Sequence, residues 1–191
     1  MFDFFDGMTA RLLHVSSPIG KELDSLADDI TFGLAPSAIL FDFLKQNATM
    51  LPWHYMAYAA FIMAAFSALR LAKFNLDERQ SLGFIGLPTP ANALFWAALL
   101  TGFGNQLANS PVGVWGVVVG MLLSCYLLVS EIPMFALKFK HWGWRGNEVK
   151  YFFVLTSAIL LILFRVNGIA MVIAWYVLLS VITNLKRKQT T

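Results

Sequence analysis

The sequence predicts an all-α, polytopic bundle of transmembrane helices, and three observations carry that prediction. Mean hydropathy is +0.66, with 58% hydrophobic residues and only 13% charged ones, against about 25% charged in a soluble domain. The apolar residues gather into long runs, the form a chain takes when each crossing must satisfy its own backbone hydrogen bonds as a helix. The cations stand outside those runs and overwhelmingly on one side of them. A length of 191 residues, with no Pro, Gly or Ser-rich linker, makes this a single membrane domain over residues 1–191. The net charge of +3 lies mostly at the ends of the runs, so membrane lipids are expected partners and nucleic acid is not.

Six apolar segments follow in order, at 22–44, 52–72, 88–103, 112–135, 151–165 and 168–184, for about six spans. The first opens with Asp24, Asp28 and Asp29 and becomes purely apolar only after Gly33, so it has a wet end and a greasy end. The second ends beside Arg70 and Lys73. The third is entered through Pro88 and Pro90, which stiffen its start. The fourth contains Gly116-Val-Val-Val-Gly120, a spacing that lets two helices approach closely, within the chain or between copies. The last two are joined at Asn167-Gly168, a turn dipeptide, and read as a tight hairpin rather than one long helix. Alternating sides puts Arg11, Lys21, Arg70, Lys73, Arg79, Lys138, Lys140, Arg145, Lys150 and Lys186 to Lys188 on one face, and Lys45 and Arg165 on the other. That asymmetry marks the first face as cytoplasmic.

Several residues read as ordinary. Cys125, inside an apolar run, is a small buried hydrophobe. His14 is a loop histidine; His54, and His141 beside Trp142 and Trp144, belong to the membrane edge. Glu131 either lines a polar cavity or snorkels from a helix end. Asn47-Ala48-Thr49 is a chance sequon, and Asp29 a solvated acid at a helix start. Asp3 and Asp6 interrupt the opening residues, so no cleavable signal peptide is expected.

Asp3, Asp6, Asp24 and Asp28 are the unusual feature. Spacings of three and four put each pair on one helix face, and four acids brought together beside a bilayer repel one another unless a cation holds them. Hard oxygen ligands suit Mg2+ or Mn2+. A carboxylate-lined cation transporter would repeat acids through several spans, yet beyond the acids at the start of the first segment, residues 22–29, only Asp42 and Glu131 fall within the segments.

Together with Gly7, Ala10, Arg11 and Gly20, these acids fill the pattern D-x-x-D-G-x-x-A-R-x(8)-G-x-x-x-D-x-x-x-D, eight positions over 26 residues. The pattern resembles the signature of the CDP-alcohol phosphatidyltransferases. The resemblance implies a membrane bundle in which Asp3, Asp6, Asp24 and Asp28 sit at a centre of two divalent ions. Asp28, at its edge, would accept the proton of the attacking alcohol. It also places Gly7, Ala10, Arg11 and Gly20 around the CDP-lipid, where glycine admits the nucleotide and arginine offers a planar fork.

Further stretches narrow the acceptor. Thr31 to Ser37 (TFGLAPS), Leu69 to Asn75 (LRLAKFN), Phe84 to Ala91 (FIGLPTPA) and Leu127 to Ser130 (LLVS) resemble blocks of prokaryotic phosphatidylserine synthases. That likeness implies CDP-diacylglycerol and L-serine as substrates, a homodimer, and a prokaryotic plasma membrane. Arg70, Lys73 and Asn75 are then candidates to hold the serine carboxylate or the lipid-side phosphate. Glycerol 3-phosphate or an inositol phosphate is the alternative acceptor. The resemblance also implies a transmembrane portion ahead of the first aspartate, whereas Asp3 is the third residue here; the expectation is an N-terminally short chain, with a noncatalytic remnant as the other reading.

Overall fold

The computed structural model of the chain describes residues 18–76, 84–134, 143 and 147–189. Helix α1, Pro18–Asp29, passes through one π-helical turn, Ile30–Leu34, into α2, Ala35–Gln46. A 3-10 stretch, His54–Phe61, feeds α3, Ile62–Leu76. The remaining helices are α4, Thr89–Ala108, α5, Pro111–Val129, α6, Glu148–Phe164, and α7, Gly168–Gln189. The predicted all-α bundle is what is found. Two-residue strands β1, Phe84–Ile85, and β2, Pro133–Met134, add a short antiparallel pairing with Phe84 opposite Met134.

Local sequence explains the helix starts. Pro88, with ψ of 136°, stands before α4, and Pro90 occupies its first turn, where a missing N–H is no loss. Ser110 caps α5 by accepting from the Gly113 N–H at 3.2 Å, and Pro111 follows as the first helical residue. Asn47 closes α2, its amide donating to the Phe43 carbonyl at 2.8 Å.

Among the described residues three stretches are long and apolar enough to cross a bilayer: His54–Leu76, Pro111–Val129 and Glu148–Asn184, of 23, 19 and 37 residues. The last takes in both of the final two sequence segments. As one straight helix it would run about 55 Å, far beyond a hydrocarbon core of about 30 Å, and it does not stay straight. Arg165 adopts a φ of 50°, residues Arg165–Asn167 form a 3-10 turn, and α7 packs back along α6. The hairpin therefore turns at 165–167, just ahead of the expected Asn167-Gly168. Gly168 already belongs to α7, with the Leu160 carbonyl 2.6 Å from where a Cβ would sit.

The core lies among α2, α3, α4 and α5, where Leu40, Leu44, Met63, Trp96, Val114 and Met121 are buried. Helix α4 touches α2, α5 and α7, and the indole N–H of Trp96 donates to Ser124 Oγ on α5 at 3.0 Å. Of the two glycines in the fourth segment, Gly120 makes room for the Trp96 ring within the chain, while Gly116 faces open space. Cys125 is buried, as expected.

Candidate active site

Three of the stretches singled out in the sequence, 69–75, 84–91 and 127–130, sit on different elements and meet at one end of the bundle. The last turn of α5 is where they converge, because a helix C-terminus leaves carbonyls that need donors. The Leu87 N–H donates to the Leu127 carbonyl at 2.9 Å and the Gly86 N–H to the Ile132 carbonyl at 2.9 Å. Ser130 Oγ also donates to Leu127, at 3.0 Å, and the Lys73 ammonium to the Val129 carbonyl at 3.4 Å. A cation there also suits the negative end of the helix dipole. Gly86 has a φ of 74°, and the Ser130 carbonyl is 2.8 Å from the position of an added Cβ, so only glycine fits this crossing.

Arg70 ties the second stretch to the first. Its Nε donates to the Leu87 carbonyl at 3.0 Å, and its guanidinium lies 5.3 Å from the centroid of the Phe74 ring. At 6% exposure it is a buried cation, and among the described residues no carboxylate pairs with it. With Nε committed, the two terminal nitrogens remain as a fork suited to a carboxylate or phosphate. Lys73, one turn on, is exposed.

Helix α1 brings acids to the same end and divides into three faces. At 100° per residue, Ile19, Leu23, Leu26 and Ile30 form one stripe, and all four are exposed. Gly20, Asp24 and Asp28 form a second stripe, and Ser25 and Asp29 a third, each roughly 120° from the next. The third packs on α3. Asn75 Nδ2 donates to Ser25 Oγ at 2.8 Å. One turn further, Asp29 Oδ1 and Ser67 Oγ crowd the space beside Gly33 that a Cβ would fill.

Asp29 is thus not the solvated helix-start acid expected from the sequence. It ends α1, with one carboxylate oxygen buried and lacking a hydrogen-bond partner of regular geometry. The sequence misled because neighbouring Asp28 and Asp29 point 100° apart on a helix, and only one of them meets α3.

Of the predicted site residues, Gly20, Asp24, Asp28, Arg70, Lys73 and Asn75 are brought to one end of the bundle. Asp3, Asp6, Gly7, Ala10 and Arg11 lie outside the described residues, as do His14 and His141. Among the described residues no cluster of three His, Cys, Asp or Glu forms. Asp24 and Asp28, one turn apart on one face, still fit a hard divalent cation as two of its oxygen ligands. Glu131 and His54 are exposed. Sequence reasoning missed the Leu87 carbonyl, which no side-chain pattern reveals, and the facing polar pairs Ser25/Asp29 and Ser67/Asn75. The regular spacing of those pairs, four residues on α1 and eight on α3, was the available signal.

The profile of the CDP-alcohol phosphatidyltransferase family matches residues 1–126. The chain belongs to that family. Similar phosphatidyltransferases are found in all three domains of life. A CDP-diacylglycerol–serine O-phosphatidyltransferase of Methanocaldococcus jannaschii is 38% identical over 135 residues, 70% of this chain and 60% of the relative. A Bacillus subtilis protein of the same name is 33% identical over 146 residues, 76% of this chain and 72% of the relative. One from Saccharomyces cerevisiae is 41% identical over 129 residues, covering 60% of this chain and 43% of the relative. Against the archaeal and yeast relatives, this chain spans less than two thirds of their length.

Proposed function

We propose that the chain transfers a phosphatidyl group from CDP-diacylglycerol to L-serine, giving phosphatidylserine and CMP. The domain would occupy residues 1–191 and sit in a prokaryotic plasma membrane with the Asp24 and Asp28 end toward the cytoplasm. The observation that carries this reading is the convergence of LRLAKFN, FIGLPTPA and LLVS on the end of α5, cross-linked by Arg70 and Leu87, beside the helix bearing Asp24 and Asp28. Relatives named for this reaction in an archaeon, a bacterium and a yeast support it.

The residues divide the work. Asp28 accepts the proton of the serine hydroxyl as its oxygen bonds to the phosphorus carrying the diacylglycerol; the phosphoanhydride bond breaks and CMP departs with the electron pair. Arg70 and Lys73 hold the serine carboxylate or the lipid-side phosphate, the buried fork of Arg70 fixing orientation and Lys73 adding charge. Two divalent ions, Mg2+ or Mn2+, held by Asp24 and Asp28 with Asp3 and Asp6, would neutralise the diphosphate and the charge that develops on CMP. Gly20, a turn ahead of Asp24, leaves room for the nucleotide, and the family signature assigns Gly7, Ala10 and Arg11 to the same CDP-lipid.

The test is CMP release by the purified chain in detergent, with CDP-diacylglycerol, Mn2+ and labelled serine, compared with Asp28→Asn. Serine-dependent release that disappears in the variant is expected. Release with glycerol 3-phosphate or an inositol phosphate but not serine corrects the acceptor; no release with any alcohol removes the activity from this chain.

A further inference from the structure

We propose that two contacts between α1 and α3, the hydrogen bond of Asn75 to Ser25 and the close packing of Asp29 with Ser67 beside Gly33, form a latch that sets the rotation of α1 and so aims Asp24 and Asp28. On this assignment Asn75 and Asp29 are positioning residues, and Asn75 does not hold substrate. The inference rests on the reading of Asp24 and Asp28 as cation-binding acids.

Geometry makes the case. Ser25 and Asp29 are one turn apart on α1; Ser67, Leu71 and Asn75 form one stripe down α3, with Ser67 and Leu71 buried. The helices run antiparallel, so Ser25 meets the outer end of the stripe and Asp29 its inner end. Asn75 Nδ2 reaches Ser25 Oγ at 2.8 Å. At the other end Asp29 Oδ1 and Ser67 Oγ, buried and neither of them hydrogen-bonded, pack together beside Gly33, where an added Cβ would collide with Asp29 Oδ1 and lie 2.9 Å from both Ser67 Cβ and Oγ. Two contacts a turn apart on α1 fix rotation about its axis, which one contact cannot do. The acids on the next face, at 24 and 28, each directly precede a latch residue. A roll of α1 that released the latch would carry both carboxylates with it. The other side of α1 cannot set this angle, since Ile19, Leu23, Leu26 and Ile30 are exposed and apolar contact is not directional. The π turn at Ile30–Leu34, a distortion frequent at functional sites, lies directly after Asp29 and carries Gly33 to α3.

The experiment uses the full chain in detergent and reads Mn2+ binding by electron paramagnetic resonance alongside steady-state kinetics. Ser25→Ala and Asn75→Ala should each weaken Mn2+ binding about three- to tenfold, the usual worth of one hydrogen bond. The double variant should be no weaker than either single one. Ser25→Thr, which keeps the hydroxyl, should bind Mn2+ as the parent does, and Gly33→Ala should weaken binding through the other contact. The KM for serine at saturating Mn2+ should not move. A rise in that KM with Mn2+ binding unchanged would make Asn75 a substrate ligand and overturn the latch, as would additive losses in the double variant or Mn2+ binding indifferent to all four changes. A parent chain that binds no Mn2+ overturns the latch together with the cation reading. One that binds Mn2+ without serine-dependent CMP release removes the substrate assignment alone.

Discussion

The two ends of this chain differ in how far the protein covers its own helices. Residues 18–134 are tied across helices by directional polar contacts: Arg70 to Leu87, Leu87 to Leu127, Lys73 to Val129, Asn75 to Ser25 and Trp96 to Ser124. In the α6–α7 hairpin the Trp175 indole donates to Thr156 at 3.0 Å and the Asn184 amide to the Pro133 carbonyl, and the hairpin meets the bundle largely through α4. The most apolar window of the hairpin is only 11% buried, against 39% in α5. Hydrogen bonds specify angle and register; apolar contact with lipid as the alternative neighbour specifies little. On the proposed function the better-covered region is the one that holds the reacting groups, and the family match, over residues 1–126, includes none of the hairpin.

The contrast breaks first at the acids. If the polar end is the reaction centre, Asp28→Asn should lower kcat by roughly 10²–10⁴-fold while thermal unfolding of the purified chain stays within a degree or two of the parent. An equal loss from an Ile162 substitution in the hairpin would erase the distinction between the two regions. Arg70→Lys comes next. Lysine keeps the charge but cannot bond the Leu87 carbonyl through Nε and still present a planar fork. The loss of about 1.5–3 kcal/mol in a charged hydrogen bond corresponds to roughly 10- to 150-fold in kcat/KM for serine. Arg70→Lys kinetics indistinguishable from the parent would reduce Arg70 to a membrane-edge cation.

Much of this end was legible in the sequence, for reasons that differ by residue. Asp24 and Asp28 could be placed on one face because helical spacing alone decides it. The bundle itself followed from apolar runs and the separation of cations, and the final hairpin from the turn dipeptide Asn167-Gly168 between its two runs. The number of crossings was less legible: the first and third segments mix polar and apolar residues, and among the described residues three stretches qualify by length and apolarity. Asp29 could not be read, because its environment comes from α3, nearly forty residues away in the chain. The partner of Arg70 is a backbone carbonyl, which every residue possesses and no composition announces.

Gly33→Ala sharpens the comparison by stability rather than rate. An added methyl beside Asp29 and Ser67 must displace side chains in a packed contact, costing about 1–3 kcal/mol, and melting in detergent should register it. Trp96→Phe asks for less. It leaves Ser124 Oγ without its indole donor and opens part of the space beside Gly120, for about 1–2 kcal/mol. Should Gly33→Ala melt with the parent, the close approach of α1 to α3 is not what the geometry indicates.

The smallest effect belongs to the hairpin. Ile162 and Leu155 on α6 are 79% and 63% exposed, so truncating either to alanine removes side chain that meets bilayer rather than protein. Helices in a membrane gain nothing from burying one apolar surface against another that lipid could cover equally well, and substitutions that break no contact usually stay within about 0.5 kcal/mol. Leu155→Ala and Ile162→Ala should therefore leave both melting temperature and kcat/KM at parent values. A loss of several degrees from either, and especially one that depends on protein concentration, would show that this face is covered by another copy of the chain; the hairpin would then be an interface rather than a lipid-facing wall.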